Sequence, residues 1–221
     1  MSVQESAIAV AYSGGLDSAA LMAMLADEGR EVWPMYVRCG LLWEAAELEW
    51  ATRYLDALTA PTVRAMQIFD LPLQDVYAGH WSLTGNNVPP AGSEDEEVYL
   101  PGRNPLLLIK PAIACAQMGI RELALASLSA NPFADAQPEF LARFAELINH
   151  ACGSELRITQ PFVYLSKAEV LHKAQDAPLE LALSCIQPVS GLHCGVCNKC
   201  HERQAAFLAA KIADPTQYAV T

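Results

Sequence analysis

The chain is poor in positive charge: lysine and arginine together number 14, aspartate and glutamate number 25, and the formal net charge is −11 at pH 7. Binding to a nucleic-acid backbone depends on clustered lysine and arginine, so this balance argues against a large nucleic-acid partner such as tRNA. Long hydrophobic runs are also missing, because no apolar stretch approaches the ~20 residues that a membrane helix needs. We therefore expect neither nucleic-acid binding nor a membrane association.

The first residues, Met-Ser-Val-Gln-Glu-Ser, lack the basic start of a signal peptide. We therefore expect a cytoplasmic protein. A length of 221 residues suggests one domain, or one domain with a small appendage. Hydrophobic residues make up 52% of the chain and charged residues 18%, so a sizeable core is available and disorder is not expected. A homodimer is compatible with these observations.

The most informative segment is Ser-Gly-Gly-Leu-Asp-Ser at residues 13–18. Ser6–Tyr12 is predicted to form a short buried strand, and Asp17–Gly29 a helix with a glycine stop. The glycines therefore lie at a turn from strand to helix. Glycine allows close approach of the backbone to a ligand, and a helix N-terminus favours an anion. The segment predicts a site for phosphate or pyrophosphate.

This turn lacks the Gly-Lys-[Ser/Thr] end of the P-loop of kinase-type NTPases. It resembles instead the PP-loop of the N-type ATP pyrophosphatases. The resemblance implies that ATP is cleaved between its α and β phosphates and that AMP is joined to an oxygen of the acceptor. The alternative is an ordinary glycine-rich turn between a strand and a helix.

Strand and helix signals alternate along the chain. Further strands are predicted at Glu31–Val37, Thr62–Phe69, Leu123–Leu128 and Leu156–Ile158. Helices are predicted at Leu41–Leu58, Pro105–Met118, Pro138–Cys152 and Ser166–Gln175. This order predicts an α/β fold with a doubly wound parallel sheet, whose ligands lie beyond the carboxyl ends of the strands.

The stretch Gly79–Glu97 has no periodicity and is rich in turn formers. Unstructured loops of this length in a compact domain are usually functional or disordered. We interpret it as an active-site lid, and a disordered loop is the alternative.

A second strong signal is the spacing Cys-x8-Cys-x2-Cys-x2-Cys, formed by Cys185, Cys194, Cys197 and Cys200. Four closely spaced thiolates suit a closed, tetrahedral structural zinc site. The alternatives are an iron–sulfur cluster and redox thiols. The cluster interpretation is weakened because the ferredoxin spacing, with its later Cys-Pro, is absent.

The remaining cysteines, Cys39, Cys115 and Cys152, lie on apolar segments, and we expect them to be small buried side chains. His193 and His201 adjoin the four-cysteine group and could replace a thiolate. Four cysteines already fill a zinc site, so we interpret both histidines as neighbours of the site.

Several motifs in order narrow the resemblance. Leu100-Pro101-Gly102-Arg103-Asn104 and Ser166-Lys167-Ala168-Glu169 each precede a predicted helix, and with the 13–18 loop and the cysteines they resemble the 7-cyano-7-deazaguanine synthases of queuosine biosynthesis from about Ala7 to about Phe207. The resemblance implies an adenine nucleotide alpha-hydrolase-like domain at 1–177 and a zinc-binding lobe at 178–221. It also implies ATP, Mg²⁺ and ammonia, with 7-carboxy-7-deazaguanine converted to its nitrile through an adenylated intermediate.

The resemblance and the chemistry of the side chains together assign roles. Asp17 could hold Mg²⁺, Arg103 could clamp a phosphate or the substrate carboxylate, and Lys167 could neutralise charge on the attacked phosphate. A solvated arginine at a helix end and a surface lysine are the alternatives for the last two residues. The predicted phosphate-binding residues are Ser13, Gly14, Gly15, Leu16, Asp17 and Ser18.

The chain departs from the family pattern at residues 129–137, where an acid, a tyrosine and an arginine are replaced. Only Asp135 survives there, so we predict that it recognises the acceptor nearly alone. A second departure is Pro111, which should kink or break the helix that follows Arg103.

Three functions fit the sequence. The first is an ATP-dependent ligase of the deazaguanine synthase type. The second is a PP-loop adenylating enzyme with a different carboxylate or carbonyl acceptor, which the altered 129–137 segment favours. The third is a noncatalytic nucleotide-binding and zinc-binding partner subunit, against which the intact Ser13, Asp17 and Ser18 argue.

Overall fold

A computed structural model describes residues 7–219 of the chain. Its strands are β1 (Ala7–Ala11), β2 (Glu31–Arg38), β3 (Gln67–Asp70), β4 (Glu122–Ala124) and β5 (Arg157–Thr159). Its longer helices are α1 (Leu16–Asp27), α2 (Glu44–Leu58), α5 (Arg103–Met118), α6 (Pro138–Cys152), α7 (Lys167–Lys173) and α8 (Asn198–Ala210). Two short helices, α3 (Gln74–Tyr77) and α4 (Trp81–Thr84), and 3₁₀ turns at Asp95–Val98, Ala134–Ala136 and Leu179–Leu181 complete the order.

The five strands form one parallel sheet in the order β3-β2-β1-β4-β5. The chain builds outward from β1 through β2 to β3 and then returns to place β4 on the other side of β1. This reversal creates a crevice at the carboxyl ends of β1 and β4, where ligands bind in doubly wound folds. The predicted fold class is confirmed.

Both faces of the sheet are covered by helices because its side chains alternate between two apolar clusters. Ile8 and Val10 pack with residues of α1, α7 and α8, among them Phe207. Ala9 and Met35 pack on the other face with residues of α5 and α6. Helix α8, which contains the last of the four cysteines, therefore shares a core with the first strand. The predicted boundary between 177 and 178 stays a prediction.

The predicted elements all exist, and their bounds differ at the ends. Ser6, the predicted start of the first strand, lies outside the described residues. Strand β3 is shorter than the predicted 62–69, because Val63 makes only an isolated bridge to Val32 before the ladder starts at Gln67. Strand β4 ends at Ala124, where β5 on its outer side also ends its pairing at Thr159.

The expected break at Pro111 is wrong. Helix α5 is continuous from Arg103 to Met118 with Pro111 inside it. The neighbouring side chains Leu108, Ala112 and Cys115 are fully buried against β1 and β4. Burial of this apolar face offsets the cost of the missing backbone donor. Among residues 7–219, no helix is both long enough and apolar enough to cross a membrane.

Candidate functional site

The turn between β1 and α1 is tightly held by its surroundings. Gly14 adopts a positive φ of +70°, and a Cβ placed on it would lie 2.8 Å from Cβ of Ala51 on α2. Its carbonyl oxygen accepts a hydrogen bond of 2.9 Å from the backbone N–H of Leu183. Both the backbone angle and the contact require glycine here. The turn is therefore fixed from two sides, by α2 and by the segment before the cysteines.

The two serines of the turn are linked to each other. Their hydroxyl oxygens are 3.2 Å apart, and Ser18 Oγ also donates to the carbonyl oxygen of Gly15 at 3.1 Å. Ser13 Oγ accepts from the N–H of Gly15 at 3.4 Å. Helix α1 begins after Gly15 with no side-chain cap, so its first N–H groups have no capping side chain as acceptor. This arrangement suits an anion.

Four charged side chains form a network beside the turn, which we call the lysine side of the cavity: Asp17, Lys167, Lys199 and Glu202. Lys167 Nζ lies 3.2 Å from Asp17 Oδ2 and also contacts Glu202 Oε1. Lys199 Nζ lies 2.6 Å from the other oxygen of Glu202. The two lysines and two acids thus pair with one another. Asp17 Oδ1 is buried without a hydrogen-bond partner among the described residues.

Burial and pairing act in opposite directions on these groups. Burial raises the pKa of Asp17, although Lys167 partly opposes the rise. Burial would also raise the pKa of Glu202, but Lys167 and Lys199 outweigh it and lower that pKa to about 2. Glu202 is therefore ionised at neutral pH and holds Lys167 charged beside Asp17.

The sequence interpretation missed Glu202 and Lys199. Both lie on α8, immediately beside the metal-ligand candidate Cys200, and their (i, i+3) spacing places them on one helix face. The sequence signal for them is the (i, i+3) spacing of a lysine and a glutamate on the helix that contains Cys200. In the structure Lys167 is partly buried, since its side chain is 19% exposed and pairs with both Asp17 and Glu202.

A second set of side chains lies on the arginine side of the cavity, which we define as Tyr36, Glu47 and Arg103. Arg103 is the first residue of α5 and follows Gly102, whose φ is +74°. Its Nε is buried without a hydrogen-bond partner, and it forms no ion pair within the described part of the chain. A buried guanidinium N–H without a partner points to a ligand that supplies one.

Glu47, on α2, was not singled out from the sequence. Its Oε1 accepts from the Tyr36 hydroxyl at 2.8 Å, and its Oε2 accepts from Trp43 Nε1 at 3.0 Å. Burial raises its pKa to about 7, with Arg103 opposing the rise. A glutamate three residues after another acid on an amphipathic helix looks like a solvated residue, so the sequence carried no signal for it.

The lysine side and the arginine side line one cavity of about 310 Å³ at the carboxyl ends of β1, β2 and β4. The turn residues Ser13, Gly15, Leu16 and Ser18 line the same cavity. Of the predicted catalytic residues, Asp17, Lys167 and Arg103 are therefore brought together.

Asp135 is not brought to this cavity. It is 7% exposed, and its two oxygens accept from the backbone N–H and the side-chain amide of Asn104, at 3.2 and 3.0 Å. It thereby holds the first turn of α5, next to Arg103. Direct recognition of the acceptor by Asp135 stays a prediction, and its contacts in the structure favour a role in positioning α5.

The four cysteines form a compact buried group. Their Sγ atoms all lie within 4.8 Å of one another. The Cys185–Cys197 and Cys194–Cys200 sulfurs are each 3.9 Å apart. A tetrahedral zinc with Zn–S bonds of about 2.3 Å places its sulfurs about 3.8 Å apart. The donor set therefore fits one four-coordinate metal ion.

Backbone donors point at these sulfurs. The N–H groups of Gln187 and Cys194 both donate to Cys185 Sγ at 3.3 Å. His193 is buried, and its Nε2 accepts from the N–H of Ser184 at 3.1 Å, so it is a neighbour of the cysteine group as predicted. Burial and Arg203 lower the pKa of His193 to about 3, which keeps the ring neutral.

The structure places one of the three other cysteines differently from the prediction. Cys39 and Cys115 are buried as expected, but Cys152 is exposed because it ends α6 on the solvent side. No residue in the range 79–97 whose side chain the structure describes lines the cavity. The backbone of this range instead contacts the cysteine segment, where Ala91 donates to the carbonyl oxygen of Val196 at 2.9 Å. This placement does not support the lid interpretation.

A glycine turn between a buried parallel strand and an uncapped helix, with a lysine held beside an aspartate and no P-loop lysine, defines a nucleotide-binding α/β protein of the PP-loop class. Comparison with known proteins narrows the class. The chain belongs to the family described as Queuosine biosynthesis protein QueC, which matches residues 7–211.

Two curated relatives illustrate the similarity. The 7-cyano-7-deazaguanine synthase of Xanthomonas oryzae pv. oryzae (strain PXO99A) is 32% identical and covers 96% of this chain and 97% of its own. The synthase of Stutzerimonas stutzeri (strain A1501) is 32% identical over 98% of this chain and 100% of its own. A solved structure, NMN synthetase from Francisella tularensis, aligns over 95% of this chain and 79% of its own with 14% identity and a TM-score of 0.47. The family assignment rests on the sequence.

Proposed function

We propose that the chain is an ATP-dependent ligase that converts 7-carboxy-7-deazaguanine and ammonia to 7-cyano-7-deazaguanine, releasing AMP and pyrophosphate. The observation that carries the proposal is Lys167, held charged between Asp17 and Glu202 beside an uncapped helix N-terminus. The curated relatives, which match nearly end to end, are named 7-cyano-7-deazaguanine synthase.

The chemistry divides between the two sides of the cavity. On the lysine side, the N–H groups at the start of α1 and the hydroxyls of Ser13 and Ser18 would hold the phosphates of ATP. Lys167 would neutralise charge that develops on the attacked α-phosphate. An acceptor carboxylate oxygen attacks that phosphorus, the bond to the bridging oxygen breaks, and pyrophosphate leaves. Ammonia then displaces AMP from the acyl carbon and leaves an amide.

A second round would complete the nitrile. The amide oxygen attacks the α-phosphorus of another ATP, and loss of AMP with two protons leaves the carbon–nitrogen triple bond. On the arginine side, Arg103 would bind the acceptor's carboxylate in the first round, since its buried Nε lacks a hydrogen-bond partner among the described residues.

Two metals fit the residues present. The buried, unpartnered Oδ1 of Asp17 is the kind of oxygen that Mg²⁺ prefers, and Asp17 would hold it. That ion would supply positive charge to the phosphates. The four cysteines would hold a zinc ion that stabilises the start of α8. We propose that the protein acts in the cytoplasm on small molecules.

A second candidate differs only in the acceptor. Residues 129–137 lack the acid, tyrosine and arginine typical of the family, and Asp135 is occupied by Asn104. A PP-loop adenylating enzyme that acts on another carboxylate or carbonyl would show the same lysine side with a different arginine side.

The test is product analysis with ATP, ammonium and 7-carboxy-7-deazaguanine. We expect AMP, pyrophosphate and the nitrile, and we expect Asp17→Ala to lower AMP formation by at least roughly tenfold, equivalent to ~1.4 kcal/mol of transition-state stabilisation. Asp27→Ala, at the exposed end of the same helix, is the matched control. ADP and phosphate as products would contradict the proposal. AMP formation that depends only on another acceptor would favour the second candidate.

A further inference from the structure

Glu47 is a carboxylate whose position is fixed but whose bonding capacity is only partly used. Tyr36 donates to one oxygen and Trp43 to the other. A carboxylate offers about four lone-pair sites, so about two remain available. Glu47 also lines the cavity. The free acceptor sites can therefore meet a bound molecule.

The charged groups that act on the Glu47 side chain differ from those that pair on the lysine side. The charged groups that act on it are Arg103 on α5 and Glu44 on its own helix, whereas Lys167 pairs with Asp17 and Glu202. Glu47 forms no ion pair with Arg103 within residues 7–219. The arginine side thus presents one acceptor and one cation, each unpaired, to the same cavity.

This pair matches a specific ligand chemistry. A ring with adjacent amide and amino N–H donors can place both on one carboxylate, as amino donors of bases do on glutamate or aspartate. A carboxylate substituent elsewhere on the same fused ring system can pair with a guanidinium. The acceptor in the proposed function carries both features, because its pyrimidinone edge is that of guanine.

We propose that Glu47 is the residue that recognises the acceptor's N–H edge, with Tyr36 and Trp43 holding its carboxylate in place and Arg103 pairing with the acceptor's carboxylate. This inference rests on the proposed function. It moves recognition from residues 129–137 to helix α2, and it accounts for the loss of family residues there. Asp135 then acts through Asn104, by fixing the start of α5 next to Arg103.

The experiment pairs a change in the protein with a change in the ligand. Binding of 7-carboxy-7-deazaguanine and of its analogue without the 2-amino group is measured by calorimetry, for the wild type, Glu47→Gln and Glu47→Asp. We expect the wild type to prefer the amino compound at least about tenfold, since an unpaired buried acceptor is costly. Glu47→Gln should lose this preference. Glu47→Asp, which keeps the charge and shortens the reach, should retain part of it.

Controls separate recognition from folding and from nucleotide binding. Glu49→Gln removes an exposed acid from the same helix and should leave the preference unchanged. Affinity for a nonhydrolysable ATP analogue should change less than about twofold in Glu47→Gln. Circular dichroism reports whether each variant is folded.

The outcomes are distinguishable. If the wild type binds the acceptor and Glu47→Gln keeps the full preference for the amino compound, the inference is wrong and the proposed function stands. If Glu47→Gln weakens the ATP analogue instead, Glu47 contacts adenine and the inference is again wrong. If the wild type does not bind the acceptor at all, the proposed acceptor is wrong and the inference falls with it.

Discussion

The two sides of the cavity handle charge in opposite ways. On the lysine side, Lys167 and Lys199 are paired with Asp17 and Glu202 inside the protein. On the arginine side, Arg103 and Glu47 face the same cavity without pairing to each other. On the lysine side each of the four charged side chains has an oppositely charged partner before any ligand arrives, whereas Arg103 and Glu47 do not pair with each other.

This difference corresponds to two kinds of ligand. A polyphosphate brings several charges, and lysines held by acids can exchange those partners for phosphate oxygens without being buried unpaired. A small acceptor has few polar groups. Selectivity for it therefore requires buried protein groups whose missing hydrogen bonds cost free energy until the correct acceptor supplies them. The lysine side therefore suits a polyphosphate cosubstrate that many enzymes share. The arginine side suits an acceptor that must be distinguished from similar molecules.

The largest expected effect comes from the metal, because Cys197 is the N-cap of α8, which carries Lys199 and Glu202. Cys197→Ala should lose a bound zinc and at least about 3 kcal/mol of stability, since structural zinc contributes folding free energy. That corresponds to a fall of roughly 6–12 °C in unfolding temperature for a chain of this size. Calorimetry and metal analysis check it.

Removal of the metal also tests the contrast between the lysine side and the arginine side. During slow chelation, AMP formation should fall before acceptor binding does, because α8 carries Lys199 and Glu202 of the lysine side and no residue of the arginine side. Cys152→Ala, at an exposed cysteine, is the control. A brown protein with iron and acid-labile sulfide would contradict the zinc assignment, and an unchanged unfolding temperature after chelation would contradict its structural role.

A smaller effect, confined to one side, is expected from Lys167→Met. Removing a charge that stabilises the attacked phosphate should lower kcat for AMP formation about 100-fold, or ~2.7 kcal/mol. Affinity for the acceptor should change less than about twofold, since Lys167 does not touch the arginine side. Lys173→Met, exposed on the same helix, is the control. A lower stability with unchanged kcat would make Lys167 a structural residue only.

The sequence predicted the lysine side better than the arginine side, and the reason is physical. The glycine turn must satisfy backbone angles and close contacts at Gly14, so its residues are restricted and recognisable. Lys167 follows Ser166, which forms a capping box with Glu169 that marks the helix start.

Glu47 has no such local constraint. Its role depends on Tyr36 and Trp43, and on Arg103 arriving from a distant helix, so only tertiary structure identifies it. For Asp135, the hydrogen-bond partner in the structure is Asn104, which the sequence of the altered segment does not indicate, and direct recognition of the acceptor stays a prediction. The continuous helix through Pro111 likewise reflects packing that local propensity does not contain.

The smallest expected effect is a pH dependence of stability that arises from Glu47. Burial raises its pKa from 4.5 to about 7, although the charge of Arg103 and the hydrogen bonds from Tyr36 and Trp43 act to lower it. Between these two values the folded protein holds a proton that the unfolded chain has released. The stability associated with protonated Glu47 is therefore complete below about pH 4.5 and is lost as pH rises through about 7.

Glu47→Gln cannot release this proton, so it should gain stability relative to the wild type as pH rises. We expect a relative gain of about 2 kcal/mol between about pH 5 and about pH 8, a value reduced from the full shift because Glu47 borders the open cavity. Urea unfolding of both proteins at the two pH values measures it, with Glu49→Gln as the control for loss of an acid. An equal difference at both pH values would mean that Glu47 is ionised throughout. Arg103 would then offset the charge of Glu47 in the folded protein, and the contrast between the two sides of the cavity would be lost.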